Sequence, residues 1–98
     1  MISVLTLNLR FGLADDGANN WRYRKKGFQP FLEKYRTDFI GFQEANDFQI
    51  DFLHNILTEY NTIGKRSPSP SFWQNNIIFY KKDIFFILQK YFGNIEKI

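Results

Sequence analysis

The chain has 98 residues, a formal net charge of +3, one histidine and no cysteine. Hydrophobic residues make up 44% and 12 residues are Phe, which excludes a disordered polymer and supplies the core of one small domain. No apolar run is long enough to span a bilayer and no signal-peptide pattern opens the chain; with cysteine absent, the expected address is cytoplasmic.

Residues 2–9 read as a strand, with Val4, Thr6 and Asn8 on one face and Leu5, Leu7 and Leu9 on the other. Residues 11–20 form a loop of Gly, Asp and Asn. Asn20 is a good N-cap for a helix beginning at Trp21. Phe28, Phe31, Leu32 and Tyr35 then recur at helical spacing. Gly27 and Pro30 interrupt that pattern and predict a kink or a late start near Gln29. Residues 39–42 read as a short strand of the fully buried type. Asn46 or Asp47 caps the next helix, whose apolar stripe is Phe48, Phe52, Leu53, Ile56, Leu57 and Tyr60. Residues 62–64 make a brief strand and residues 65–74 a loop marked by Ser67-Pro68-Ser69-Pro70. Residues 77–80 and 84–88 are two further strands, and residues 89–98 a tail that frays. Strand, helix, strand, helix, strand, strand predicts α/β layers.

Two strands end in polar groups. Asn8 is a lone amide in an apolar strand, and Glu44 is a carboxylate directly after a buried one. If the strands are neighbours in one sheet, both side chains arrive at the same edge. There a carboxylate, with substrate phosphate and water, suffices for a magnesium ion, and an amide offers a carbonyl oxygen to the ion or an NH₂ to phosphate. Each residue also has a plain reading: an Asn that bonds a nearby loop, a Glu that caps a helix or sits in water. The residues alone leave this open.

The basic residues fall in small groups: Arg22, Arg24, Lys25 and Lys26; Lys65 and Arg66; Lys81 and Lys82. They are compatible with a phosphate-bearing substrate but too scattered to argue nucleic acid by themselves. Trp21 and Trp73 are either packing anchors or platforms for bases.

A series of motifs adds to this reading: Thr6-Leu7-Asn8-Leu9-Arg10, Asn20-Trp21-Arg22-Tyr23-Arg24-Lys25, Asp38-Phe39-Ile40-Gly41-Phe42-Gln43-Glu44, then Gln49 and Leu53, then Asn76-Ile77-Ile78-Phe79-Tyr80-Lys81. Together they resemble the N-terminal part of the endonuclease/exonuclease/phosphatase superfamily, closest to its bacterial metal-dependent hydrolases and deadenylase-like members. The resemblance implies an α/β chain forming the N-terminal half of a deoxyribonuclease I-like layered β-sandwich flanked by helices. It implies a partial domain over residues 1–88 and a divergent tail over residues 89–98. It further implies a hydrolase of phosphate esters, of nuclease or phosphatase type, that uses Mg²⁺ or Mn²⁺. Glu44 would be a metal ligand, and Asn8 would lie in the active site against phosphate or metal.

The sequence departs from the family pattern where the second half of the site is expected. It holds no Asp-x-Asn and no Ser-Asp-His. Its single histidine, His54, falls on the helix after Glu44, and Gln74 stands where several relatives carry Glu. The expectation is a chain that is inactive alone, or else a non-catalytic half-domain. A sandwich buries the inner face of each sheet against the other. One sheet alone leaves that face open to self-association or to a complementing chain.

Overall fold

A computed structural model describes residues 2–66 and 70–84. Among the described residues, four strands form one mixed sheet: β1 (Val4–Asn8), β2 (Phe39–Ala45), β3 (Tyr60–Ile63) and β4 (Asn75–Lys81). Their order across the sheet is β1-β2-β4-β3. β1 runs parallel to β2, whereas β2 and β3 are each antiparallel to β4. A parallel pair needs a long crossover, and here the helices α1 (Trp21–Arg24) and α2 (Phe28–Lys34) supply it. A third helix, α3 (Asp47–Ile56), links β2 to β3.

The interruption predicted between Trp21 and Tyr35 is present. A 3-10 turn over Lys25–Gly27 separates α1 from α2. Pro30 falls in the first turn of α2, where backbone N–H groups have no intrahelical partner and its missing donor costs little. Asn20 occupies the N-cap position of α1 but its side chain does not cap the helix. Its Oδ1 instead accepts the Asp16 N–H at 2.6 Å, folding the preceding loop back on itself. Strand β3 begins at Tyr60, two residues earlier than the periodicity suggests, because the Tyr60 ring is buried in the core. Residues 85–98, with most of the last expected strand and the proposed domain boundary at 88, lie outside the described residues.

Alternation sorts the sheet into two faces. Ile40, Phe42, Ile77 and Phe79 are buried together with Leu32, Ile50, Leu53 and Leu57. Leu5 and Leu7 pack against this cluster, as sequence alternation predicts. Phe42 meets Phe79 edge-on at 5.5 Å, and Trp21 meets Phe52 edge-on at 5.6 Å, tying the crossover to α3. On α3, Ile50 and Gln49, outside the expected stripe, are fully buried, while Phe48 of that stripe is 36% exposed. The opposite face carries Val4, Thr6, Gly41 and Ile78, with Val4 64% and Ile78 41% exposed. At the start of the sheet Ser3 and Asp38 bond reciprocally: the Ser3 N–H donates to Asp38 Oδ2 at 2.9 Å, and the Asp38 N–H donates to Ser3 Oγ at 3.0 Å. Among the described residues, no helix is long and apolar enough to cross a membrane.

Candidate phosphoester site

The register of β1 on β2 sets Asn8 opposite Gln43, and the Leu9 N–H donates to the Gln43 carbonyl at 3.0 Å. Strict alternation would then send Glu44 to the helix-covered face with Ile40 and Phe42. It does not go there. Phe42 pairs with Ile77 and Ala45 with Asn75, so Gln43 and Glu44 together oppose the single residue Asn76. This is a β-bulge, and it re-aims a side chain at a strand end. Glu44 takes a left-handed backbone, φ 60°, a conformation uncommon for a residue with a Cβ.

The bulge brings the two predicted residues into contact. Asn8 Nδ2 donates to Glu44 Oε2 at 2.6 Å, and the Phe11 N–H donates to Glu44 Oε1 at 3.1 Å. The Asn8 hydrogen bond, then the Phe11 N–H, hold the Glu44 carboxyl below its ordinary range; the Arg10 charge helps and partial desolvation opposes. Asn8 Oδ1 in turn accepts the Arg10 N–H at 2.8 Å, forming a tight local turn. Arg10 is the second non-glycine residue with a left-handed backbone, φ 63°. Its guanidinium is bidentate on Asp16, at 3.2 and 3.1 Å, which lowers the Asp16 carboxyl below its usual value.

A buried amide network holds the surrounding loops. Asn46 caps α3, and with Gln49 it closes a capping box. Gln49 Oε1 accepts the Asn46 N–H at 2.9 Å, and Gln49 Nε2 donates to the Arg10 carbonyl at 3.1 Å. Asn46 Oδ1 accepts the Gly12 N–H at 2.7 Å, and its Nδ2 donates to the Ser71 and Trp73 carbonyls at 3.1 and 2.9 Å. Asn75 Nδ2 donates to the Ala45 carbonyl at 3.1 Å. Both Asn46 and Gln49 are fully buried with their amides engaged, which spares the cost of orphaned polar groups. Gly12 lies so close that a Cβ there would meet Phe48 Cζ at 2.5 Å and Gln49 Cδ at 2.9 Å.

Sequence reasoning named Asn8 and Glu44, and the structure joins them. It read Asn46 only as a candidate helix cap, which the structure bears out, and quoted Arg10 and Gln49 in motifs without assigning either a role. The spacing Asn-x-x-Gln ahead of an apolar helix carries the capping-box signal for Asn46 and Gln49. His54 sits on α3 with its ring 5.1 Å from that of Phe79, against the core and away from the Asn8–Glu44 pair. Gln74 precedes Asn75, the partner of Ala45, and so shares the sheet edge with Glu44. Of the two tryptophans, Trp21 is a buried anchor at 6% exposure, whereas Trp73 is 39% exposed. Among the described residues, no three His, Asp or Glu side chains converge on one point.

A mixed sheet with helices on one face thus carries an amide–carboxylate pair at the ends of two parallel strands. No protein-family model matches the sequence, and no curated protein does. Solved structures do match. An endonuclease/exonuclease/phosphatase from Bacteroides vulgatus is 34% identical with a TM-score of 0.68, over 80% of this chain and 30% of that one. A mannosyl-6-phosphatase from Bacteroides thetaiotaomicron is 26% identical with a TM-score of 0.70, over 85% of this chain and 32% of that one. A humanised D. rerio TDP2 shares the fold at 21% identity and a TM-score of 0.66, over 84% of this chain and 30% of that one. The chain is thus a relative of the endonuclease/exonuclease/phosphatase superfamily and carries part of its deoxyribonuclease I-like fold. It spans about 30% of the length of these structures.

Proposed function

We propose that this chain supplies one side of a Mg²⁺-dependent phosphoesterase site, with Glu44 as metal ligand and Asn8 as the residue that orients it and meets phosphate. The supporting observation is the Asn8–Glu44 hydrogen bond at 2.6 Å, made on a bulge with Glu44 in a left-handed backbone. The donor set fits a hard cation. The Glu44 carboxyl is held below its ordinary value by the Asn8 and Phe11 hydrogen bonds, and each of its oxygens keeps acceptor capacity beyond the one N–H it receives. A single carboxylate is enough for magnesium when waters and phosphate oxygens complete the shell. Bound there, the ion supplies charge neutralisation on a phosphoryl oxygen.

The side chains divide the remaining work. Asn8 holds the Glu44 carboxylate with one amide hydrogen and offers the other to a phosphate oxygen. Arg10, at the same strand end and exposed, offers guanidinium N–H groups that offset charge on the phosphoryl oxygens as the ester bond breaks. Groups that activate water and protonate the leaving oxygen are absent from the described edge. The chain by itself is therefore inactive under this reading, and its cellular address is the cytoplasm. A second reading draws on the open sheet face bearing Val4 and Ile78: a non-catalytic half-domain that completes its layer with a partner chain or a second copy.

Mn²⁺ titration of the full chain, followed by water-proton relaxation, tests the first reading. Binding that Glu44→Gln weakens at least tenfold supports it. Equal binding by both proteins removes Glu44 as a ligand. A phosphodiester such as bis(4-nitrophenyl) phosphate should remain intact with the chain alone; turnover would refute the statement that it is inactive.

A further inference from the structure

The sheet edge that carries Glu44 also fixes an aromatic–cation pair. Strands β1 and β2 end there, β4 begins there, and β3 ends there. The segments next to β3 and β4 place the Arg66 guanidinium 4.2 Å from the centre of the Trp73 ring. Buried amides pin both backbones. Asn46, two residues after Glu44, holds the Ser71 and Trp73 carbonyls, and Asn75 Oδ1 accepts the Arg66 N–H at 2.9 Å. Arg66 makes no ion pair with any described carboxylate, while its neighbour Lys65 lies 3.9 Å from Asp47 Oδ1. Trp73 is 39% exposed and Phe72 64% exposed.

The pair differs from the contact made by the other tryptophan. An aromatic recruited for the core is buried, as Trp21 is. Trp73 is instead anchored through its backbone to fully buried amides, with its ring left in water beneath an unneutralised guanidinium. An exposed indole paired with a guanidinium is a surface on which another planar π-system can stack. A sugar ring can also lie on an indole through its C–H groups, so the experiment sets a nucleoside against a sugar phosphate.

We propose that Arg66 and Trp73 form a stacking subsite on the sheet edge that carries Glu44 and that it takes a nucleobase, so that the phosphate ester handled at this edge is a nucleotide or the end of a nucleic acid strand. The proposal rests on the phosphoester reading for its substrate, but the stacking itself does not depend on metal.

The test is an NMR titration of the full chain with adenosine, adenosine 5′-monophosphate and ribose 5-phosphate, following the indole N–H of Trp73, assigned by its loss in Trp73→Leu. Adenosine and the nucleotide should both shift this signal, and ribose 5-phosphate should leave it in place. Trp73→Leu should weaken nucleotide binding about tenfold, read on the backbone amide of Arg66, and Trp73→Phe should restore part of it. Arg66→Ala should weaken binding several-fold. An indole signal unmoved by adenosine, or moved equally by ribose 5-phosphate, overturns the subsite. Adenosine binding that persists in Glu44→Gln, in a chain whose Mn²⁺ binding is indifferent to that substitution, supports the subsite and overturns the phosphoester reading alone.

Discussion

Ile77 and Ile78 are neighbours in β4 with the same side chain, yet they live in different solvents. Ile77 is buried under α3 with Phe42 and Phe79; Ile78 is 41% exposed on the opposite face, across from Gly41. The helix-covered face carries the cohesion of this chain. The open face, with Val4 and Ile78, has the strand chemistry of an interior layer but nothing described against it. One sheet is thus packed on one side and open on the other, and the Asn8–Glu44 pair lies at its edge.

The sharpest way to break this comparison is to truncate both isoleucines. Ile77→Ala should cost about 2–5 kcal/mol in urea unfolding, while Ile78→Ala should cost under about 1 kcal/mol. Similar costs would mean that the open face is covered in solution. Gly12→Ala should come next, at roughly 1–3 kcal/mol, because the added methyl collides with Phe48 and with the buried Gln49 amide. The same variant should displace the Phe11 amide resonance, since Phe11 N–H is bonded to Glu44.

A smaller effect concerns protons at the edge. The Glu44 carboxyl is lowered in the folded chain, first by Asn8. The folded state therefore binds its proton less readily than the unfolded state. The associated stability is complete above the ordinary glutamate value and fades as pH falls through the depressed one. Asn8→Ala should move the Glu44 midpoint, read by carboxyl ¹³C NMR, up towards the ordinary value; an unmoved midpoint would show that Asn8 does not hold this carboxylate. The smallest effect on stability should come from Val4→Thr with Ile78→Thr. Sedimentation of that pair should lose any concentration dependence shown by the parent chain, and unchanged sedimentation would remove the open face as an adhesive surface.

Much of the architecture was legible because it rests on periodicity. Alternation in residues 4–9 and the apolar run beginning at Phe39 gave β1 and β2, and Gly27 with Pro30 gave the broken crossover helix. That Asn8 and Glu44 share one sheet edge was legible only on the condition that their strands are neighbours, and the residues alone left their contact open. The bulge could not be read. A period of two puts Glu44 on the core face, and only the Ala45–Asn75 pairing reveals the extra residue. Nor could the burial of Asn46, Gln49 and Asn75, since an amide on a helix or strand looks solvated until the loops that satisfy it are in place. The separation of Trp21 from Trp73 is likewise a matter of tertiary packing, as both rings have the same local credentials.

The parallel pairing of β1 with β2 has a kinetic consequence. Asn8 and Glu44 are 36 residues apart, and everything between them must fold into a crossover before the two can touch. The carboxylate pocket therefore does not exist in any partly ordered chain that lacks the β1–β2 ladder. Under the proposed metal reading, a cation held by Glu44 with Asn8 in place would be a ligand of the assembled sheet alone and would raise its population by mass action.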